Sequence, residues 1–295
     1  ARLPASGAGA GSLAVLGAMS IGGAALVGVA GNATLYAAGS LAAGSLTLGS
    51  GGVLEATGAA TLSLGSLGNR GGVTLAGGAR LDARNYAGAG GLTLGGSAVM
   101  NIAGTANLSG GLVSLGVGTS LKAAGLVESA GQLSLAGTLA TTGAMSLSNA
   151  QLDNGLVQAG TLSLAGTLAG YGIIDAGTLI DTGTLAVQGG DLLLAGGSLI
   201  GGGVVEIGSQ ATLELNSADL ASTPISFTGT SSLLVLDDVA AGMPGIANMS
   251  SFDAVDLVGV APSLVGLAGS TVNVRNAQGS LTASFTLGIA AGALP

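Results

Sequence analysis

The chain has 295 residues, of which 58 are glycine; hydrophobic residues make up 48%, aromatics 2% and charged residues 7%, and the formal net charge is −8. So much Ala, Leu, Val and Ile with so little charge excludes a disordered chain, and five prolines without a strict glycine period exclude collagen. The acidic balance, with only six cations, argues against nucleic acid, which is bound by clustered Lys and Arg.

Cysteine, histidine and tryptophan are absent. Disulfides, thiolate or imidazole metal sites and histidine-based triads are therefore ruled out. A chain of this length is too long for one ordinary compact core unless a repeat lets it grow in one direction. It begins at Ala1 rather than Met, as a processed form or a fragment would, and no signal peptide is visible. Three Asn-x-Ser/Thr sequons, at Asn32, Asn107 and Asn248, are expected by chance in so Ser/Thr-rich a chain.

The first segment, residues 1–30, contains "SLAVLGAMSIGGAALVGVA" (12–30), an unbroken run without a charge. The run is long enough to span a bilayer. Four glycines, no flanking Lys/Arg cluster and no aromatic belt favour strands instead, so no membrane span is expected. "GAGAGS" (7–12) loosely echoes a dinucleotide loop but lacks the strand–helix context, and the only lysine, Lys122, follows no phosphate-loop pattern.

From 31 to 203 one unit recurs: an apolar residue, a small polar one, an apolar one. It reads "LTL" (46–48), "LSL" (62–64), "VTL" (73–75), "LTL" (92–94), "LSL" (133–135), "MSL" (145–147) and "LSL" (162–164). Period-two alternation bounded by Gly-rich corners predicts short strands. "GQLSLAGTLA" (131–140) returns as "GTLSLAGTLA" (160–169), with nine of ten positions identical. Near-copies without an ionisable group are structural units, and they predict an all-β, parallel β-solenoid (β-helix). Leu, Val and Ile should point inward. Thr47, Ser63, Thr74, Thr93, Ser134, Ser146 and Ser163 should point outward. At about 16–20 residues per coil, the chain should make roughly 15 coils.

From 204 to 295 the text becomes less regular and more acidic. Of the 58 glycines, 47 lie in residues 1–202 and 11 in 203–295. The net charge is −2 (five cations, seven acids) before this boundary and −6 (one cation, seven acids) after it. All three phenylalanines and four of the five prolines lie in the later part, which reads as an acidic continuation of the solenoid. "GMPGIANMSSFD" (242–253) is its clearest loop.

From Gly160 onward, "GTLSLAGTLAGYGIIDAGTLIDTGTLAVQGGDLLLAGGSLIGGGVVEIGSQATLEL" and the following "SFTGTSSLLVLDDVA…FDAVDLVGV" (226–260) resemble the passenger repeats of bacterial secreted surface proteins of the autotransporter and filamentous-haemagglutinin type. The resemblance covers roughly 160–260, and the earlier part in style only. It implies a right-handed solenoid and an extracellular place on the bacterial surface or in its matrix, as adhesin or fibre.

Little chemistry is legible. Asp237 and Asp238 are adjacent, so as strand residues they face opposite sides and do not converge as a glycosidase pair. No calcium-binding nonapeptide occurs, and the Ser/Thr column is too irregular for an ice-binding face. No cofactor, metal site or enzymatic activity is expected.

Both ends are strand-like, apolar and without a capping helix, which points to meeting ends. The expected function is a secreted structural subunit that polymerises with copies of itself, head to tail, through Leu13, Val15, Leu16 and Ile21 at one end and Phe285, Leu287 and Ile289 at the other. The alternative is a stalk or passenger fragment of a surface adhesin that binds a receptor or glycan through its C-terminal loops.

Overall fold

The computed structural model describes residues 11–21, 25–129, 131–216, 223–238 and 245–289. It is a β-solenoid of stacked parallel strands with about 12 turns. The chain divides into two compact units, Ala1–Gln151 and Leu152–Pro295.

In the first unit, short and long strands alternate. The short ones (Ser12–Val15, Thr34–Ala37, Val53–Ala56, Gly72–Leu75, Gly91–Leu94, Leu112–Leu115, Gln132–Leu135) stack in parallel on one face. The long ones, such as Thr61–Asn69 and Arg80–Gly88, bend and supply the rest of each coil. In Thr61–Asn69 the inward residues are Leu62 and Leu64 before the bend and Leu67 and Asn69 after it. Two consecutive outward positions, Gly65 and Ser66, shift the alternation and turn the strand onto a new face.

The register places like residues on like. Leu35, Leu54, Val73, Leu92, Val113 and Leu133 form one column of direct partners, and all are buried. From Leu35 through Leu54 and Val73 to Leu92 the step along the chain is constant. Each such side chain contributes roughly 1.5–3 kcal/mol by leaving water. All seven Ser/Thr residues expected outside are exposed or half-buried, and their apolar flanks are buried.

Corners repeat as well. Gly77 and Gly96 both have φ near +65°, and a Cβ on Gly96 would come within 3.0 Å of the Gly77 amide nitrogen. Only glycine meets both demands there.

The thin core of the first unit holds an aromatic device. Tyr86 stacks between Leu67 and Ala106 and is fully buried, so the large ring is matched by a small neighbour. Its hydroxyl accepts a hydrogen bond from Asn69 Nδ2 (3.0 Å), whose amide also donates to the Gly91 carbonyl (2.9 Å). Asn69 Oδ1 accepts from the Gly71 amide (3.0 Å) and forms the corner. A Cβ on Gly88 would sit on the Tyr86 hydroxyl, so Gly88, the register partner of Asn69, makes room for it.

The second unit repeats the scheme. Leu168, Leu185, Val205, Ile225 and Ile246 form a buried parallel column. A second runs Leu194, Leu215, Leu236, Leu257.

Three expectations are corrected. The turn count is about 12, below the expected number, because the coils of the first unit lie at the long end of the expected range and part of the C-terminal sequence leaves the parallel stack. That part is an antiparallel meander of Val265–Ala268, Thr271–Arg275 and the first half of Leu281–Ile289, so 204–295 is not a parallel continuation throughout. "GMPGIANMSSFD" is not simply a loop: its residues Ile246–Met249 form a strand, because Ile246 fits the apolar column above Ile225. Residues 242–244 lie outside the described set.

Asn69→Ala strips the buried Tyr86 hydroxyl and the Gly91 carbonyl of their partner. It should lower stability by about 1–3 kcal/mol, read by urea unfolding followed by circular dichroism. Tyr86→Phe should cost less, because Asn69 keeps its Gly91 and Gly71 bonds.

Candidate functional site

The residues expected at the N-terminal end lie on the first described coil. Its strands Ser12–Val15, Ala18–Ser20 and Leu26–Val29 pair in parallel with Thr34–Ala37 and Ser40–Leu48. Among the described residues they pair on that side only. Leu13 heads the column that continues through Leu35 and Leu54, yet it is half-exposed where those are buried. The cause is geometric: no described coil covers its outer side. Val15 is buried over Ala37, Ile21 is half-buried, and Leu16 is 72% exposed at a corner.

At the other end, Leu287 pairs with Ile246 and is the last described member of the column that contains Leu168, Leu185, Val205 and Ile225. It too is half-exposed. Phe285 is buried in its own chain, paired with Val272 in the meander, so its ring is not a free surface for a partner. Ile289 pairs through its backbone with Met249, and its side chain lies outside the described set. Sequence reading missed Val255 and Leu257, half-exposed last members of the columns that contain Leu234 and Leu236. Their signal was their alternation in "AVDL", but only register shows that no described strand stacks beyond them.

The acids do structural jobs. Glu128 is buried and reaches back to the chain around it. One carboxylate oxygen accepts from the Gly131 amide (3.0 Å). The other accepts from the Ser148 amide (2.7 Å), the Ser148 hydroxyl (2.9 Å) and the Asn149 amide (3.1 Å). It ties one corner to the next, since buried charge is tolerated only when its lone pairs are filled. Asp253 accepts from the Ser232 amide (3.0 Å), the Ser250 amide (2.8 Å) and the Ser250 hydroxyl (2.7 Å). Burial pushes its carboxyl up, but these bonds outweigh it and hold the carboxyl below its ordinary range.

Asp181 differs. It is fully buried; one oxygen accepts from the Gly183 amide (2.9 Å) and the other has no partner. A Cβ on Gly203 would lie about 2.6 Å from the carboxylate, so only glycine fits beside it. Burial raises its pKa, and the Gly183 bond opposes this only in part.

Arg80 donates to Asp82 at 2.7 Å, both partly exposed, and Asn101 donates to the other Asp82 oxygen at 2.8 Å. Among the described residues no three acids gather as a metal site, and no helix is long and apolar enough to cross a membrane; residues 12–15, 18–20 and 26–29 are strands.

No family model matches the chain, and no curated protein or solved structure matches it either.

The site geometry therefore consists of in-register apolar columns ending in half-exposed side chains. Such an edge presents backbone donors and acceptors spaced to pair with another strand.

The Asp181 carboxyl makes a pH prediction. Its folded pKa lies above the unfolded value, so the stability it contributes is present below the unfolded pKa and is lost as pH rises through the folded one. The wild type should lose stability relative to Asp181→Asn from about pH 4 upward, and the variant should be the more stable at neutral pH. Urea unfolding midpoints of the two proteins across this range check it.

Proposed function

We propose that the chain is an extracellular structural subunit that self-assembles head to tail into a β-solenoid filament. The observation that carries this reading is the pair of terminal column residues. Leu13 and Leu287 are the half-exposed ends of columns whose other members are buried.

A coil of one copy laid on the last strands of another would bury these side chains and complete the open backbone ladder at about 4.8 Å. The two edges are different surfaces, so the contact is heterologous and builds an open filament. Low charge supports the reading, because like charges stacked every coil would repel. The extracellular setting rests on the resemblance of 160–260 to secreted passenger repeats.

Electron microscopy of the purified chain should show filaments with a layer line at about 4.8 Å along the axis. Leu13→Asp or Leu287→Asp should abolish them and leave the circular dichroism spectrum unchanged, since both sites are half-exposed in the single chain. Asp at the buried Val15 is a poorer probe, because it would disturb the coil itself. Monodisperse wild-type particles would sink the filament and favour the passenger of a surface adhesin.

A further inference from the structure

We infer that an outer groove of the first unit binds an acidic polysaccharide. The groove has a volume of about 490 Å3 and lies where the strands Arg80–Gly88, Val99–Ser109 and Ser120–Ser129 bend. That volume is within the range of ligand sites.

One wall is a ladder of direct register partners, Ser63, Asp82, Asn101 and Lys122, one from each of four successive coils. Three coil steps make it about 14 Å long. Arg84 stands two residues after Asp82 and also lines the groove, at the bend itself. The floor is made by small residues, Ala83 and Ala123 among them.

The charge distribution is the unusual feature. The chain carries −8 and has only six cations. Three of the five described ones, Arg80, Arg84 and Lys122, lie on two strands around this groove. Arg80 is spent on Asp82. Arg84 and Lys122 are exposed and have no ion pair or side-chain hydrogen bond among the described residues. Two uncompensated cations on the wall of one groove focus a positive potential there.

The remaining chemistry selects the ligand. Leu64 and Ile102 are the large apolar residues of the lining and both are buried, so the groove offers no pocket for an apolar peptide side chain. It has no aromatic platform, and two free cations are too few for a nucleic-acid strand. Asn101 spends its amide N–H on Asp82 and keeps its carbonyl oxygen for an incoming hydroxyl. Ser63 and Thr142 add hydroxyls in the same lining. A ligand rich in hydroxyls, extended, and bearing anionic groups at intervals fits: a chain of acidic sugars, its carboxylate or sulfate groups on Arg84 and Lys122.

The test is isothermal titration of the full chain with a galacturonate decamer, dextran sulfate and neutral dextran of equal length. The wild type should bind an anionic polymer and not the neutral one, with affinity falling as salt is raised. The double variant Arg84→Gln/Lys122→Gln should lose about tenfold or more in affinity, since two charged hydrogen bonds are removed. Both side chains are exposed, so the fold should survive, checked by circular dichroism. The carboxylated and sulfated arms identify the anionic group. No binding by the wild type, or binding that the double variant retains, would overturn the inference. So would a variant that alters self-association alone, which would make the groove a contact between copies. Loss of polysaccharide binding with filaments intact would separate this inference from the assembly proposal.

Discussion

Everything in this protein hangs on the in-register parallel ladder between successive coils. Each coil bonds its backbone to the next, so residues along the parallel strands meet their equivalents from one coil further along at a fixed spacing. The ladder turns a local alternation into columns. Once Leu54 lies on Leu35, the inside of the coil is filled by repetition, and neither a helix nor a large aromatic is needed to close it. The low aromatic content and the abundance of glycine both follow. Columns of Leu and Ala fill a thin interior, and stacked corners such as Gly77 and Gly96 admit no Cβ.

A ladder also repeats any mismatch. The buried polar groups are placed where the repeat changes. Asn69 and Glu128 occupy an inward corner column that elsewhere holds Leu48, Gly88 and Leu108. Each turns its polar atoms onto the backbone of a corner, through two hydrogen bonds for Asn69 and three for Glu128, and each adds one to a side-chain hydroxyl, Tyr86 and Ser148 respectively. Asp253 does the same in the second unit. Asp181 completes only half of this pattern, and its unpartnered oxygen makes it the strained member of the set.

The same geometry limits what the surface can do. Outward side chains also stack, so a charge on one coil faces the charge on the next. The chain answers this by using Ser, Thr and Gly on most outward positions. Where it does place charge, in the Ser63–Asp82–Asn101–Lys122 ladder, opposite and neutral groups alternate along the axis. A surface that is bland nearly everywhere makes a local concentration of cations informative. It also leaves half-exposed apolar side chains at the column ends rather than a cleft of convergent acids.

The sequence by itself determined the all-β class, the inward and outward faces of each "LxL" and the parallel stacking, because these depend on a two-residue period and a coil-length repeat that the chain writes many times. It could not reveal the constant coil length from Leu35 to Leu92, the antiparallel turn at 265–289 or the strand inside 242–253. Those are settled by which distant residue each strand meets. Ile246 is a strand residue because Ile225 lies beneath it, and Phe285 is buried because Val272 folds back on it. The roles of the singular residues were equally hidden. Asn69, Glu128 and Asp181 look like ordinary polar residues at Gly-rich corners, and Arg84 and Lys122 stand two coils apart in the chain. Only the register brings the first three inside and the last two to one groove, since a repeat pattern specifies what every coil shares and the tertiary stack decides what each exception touches.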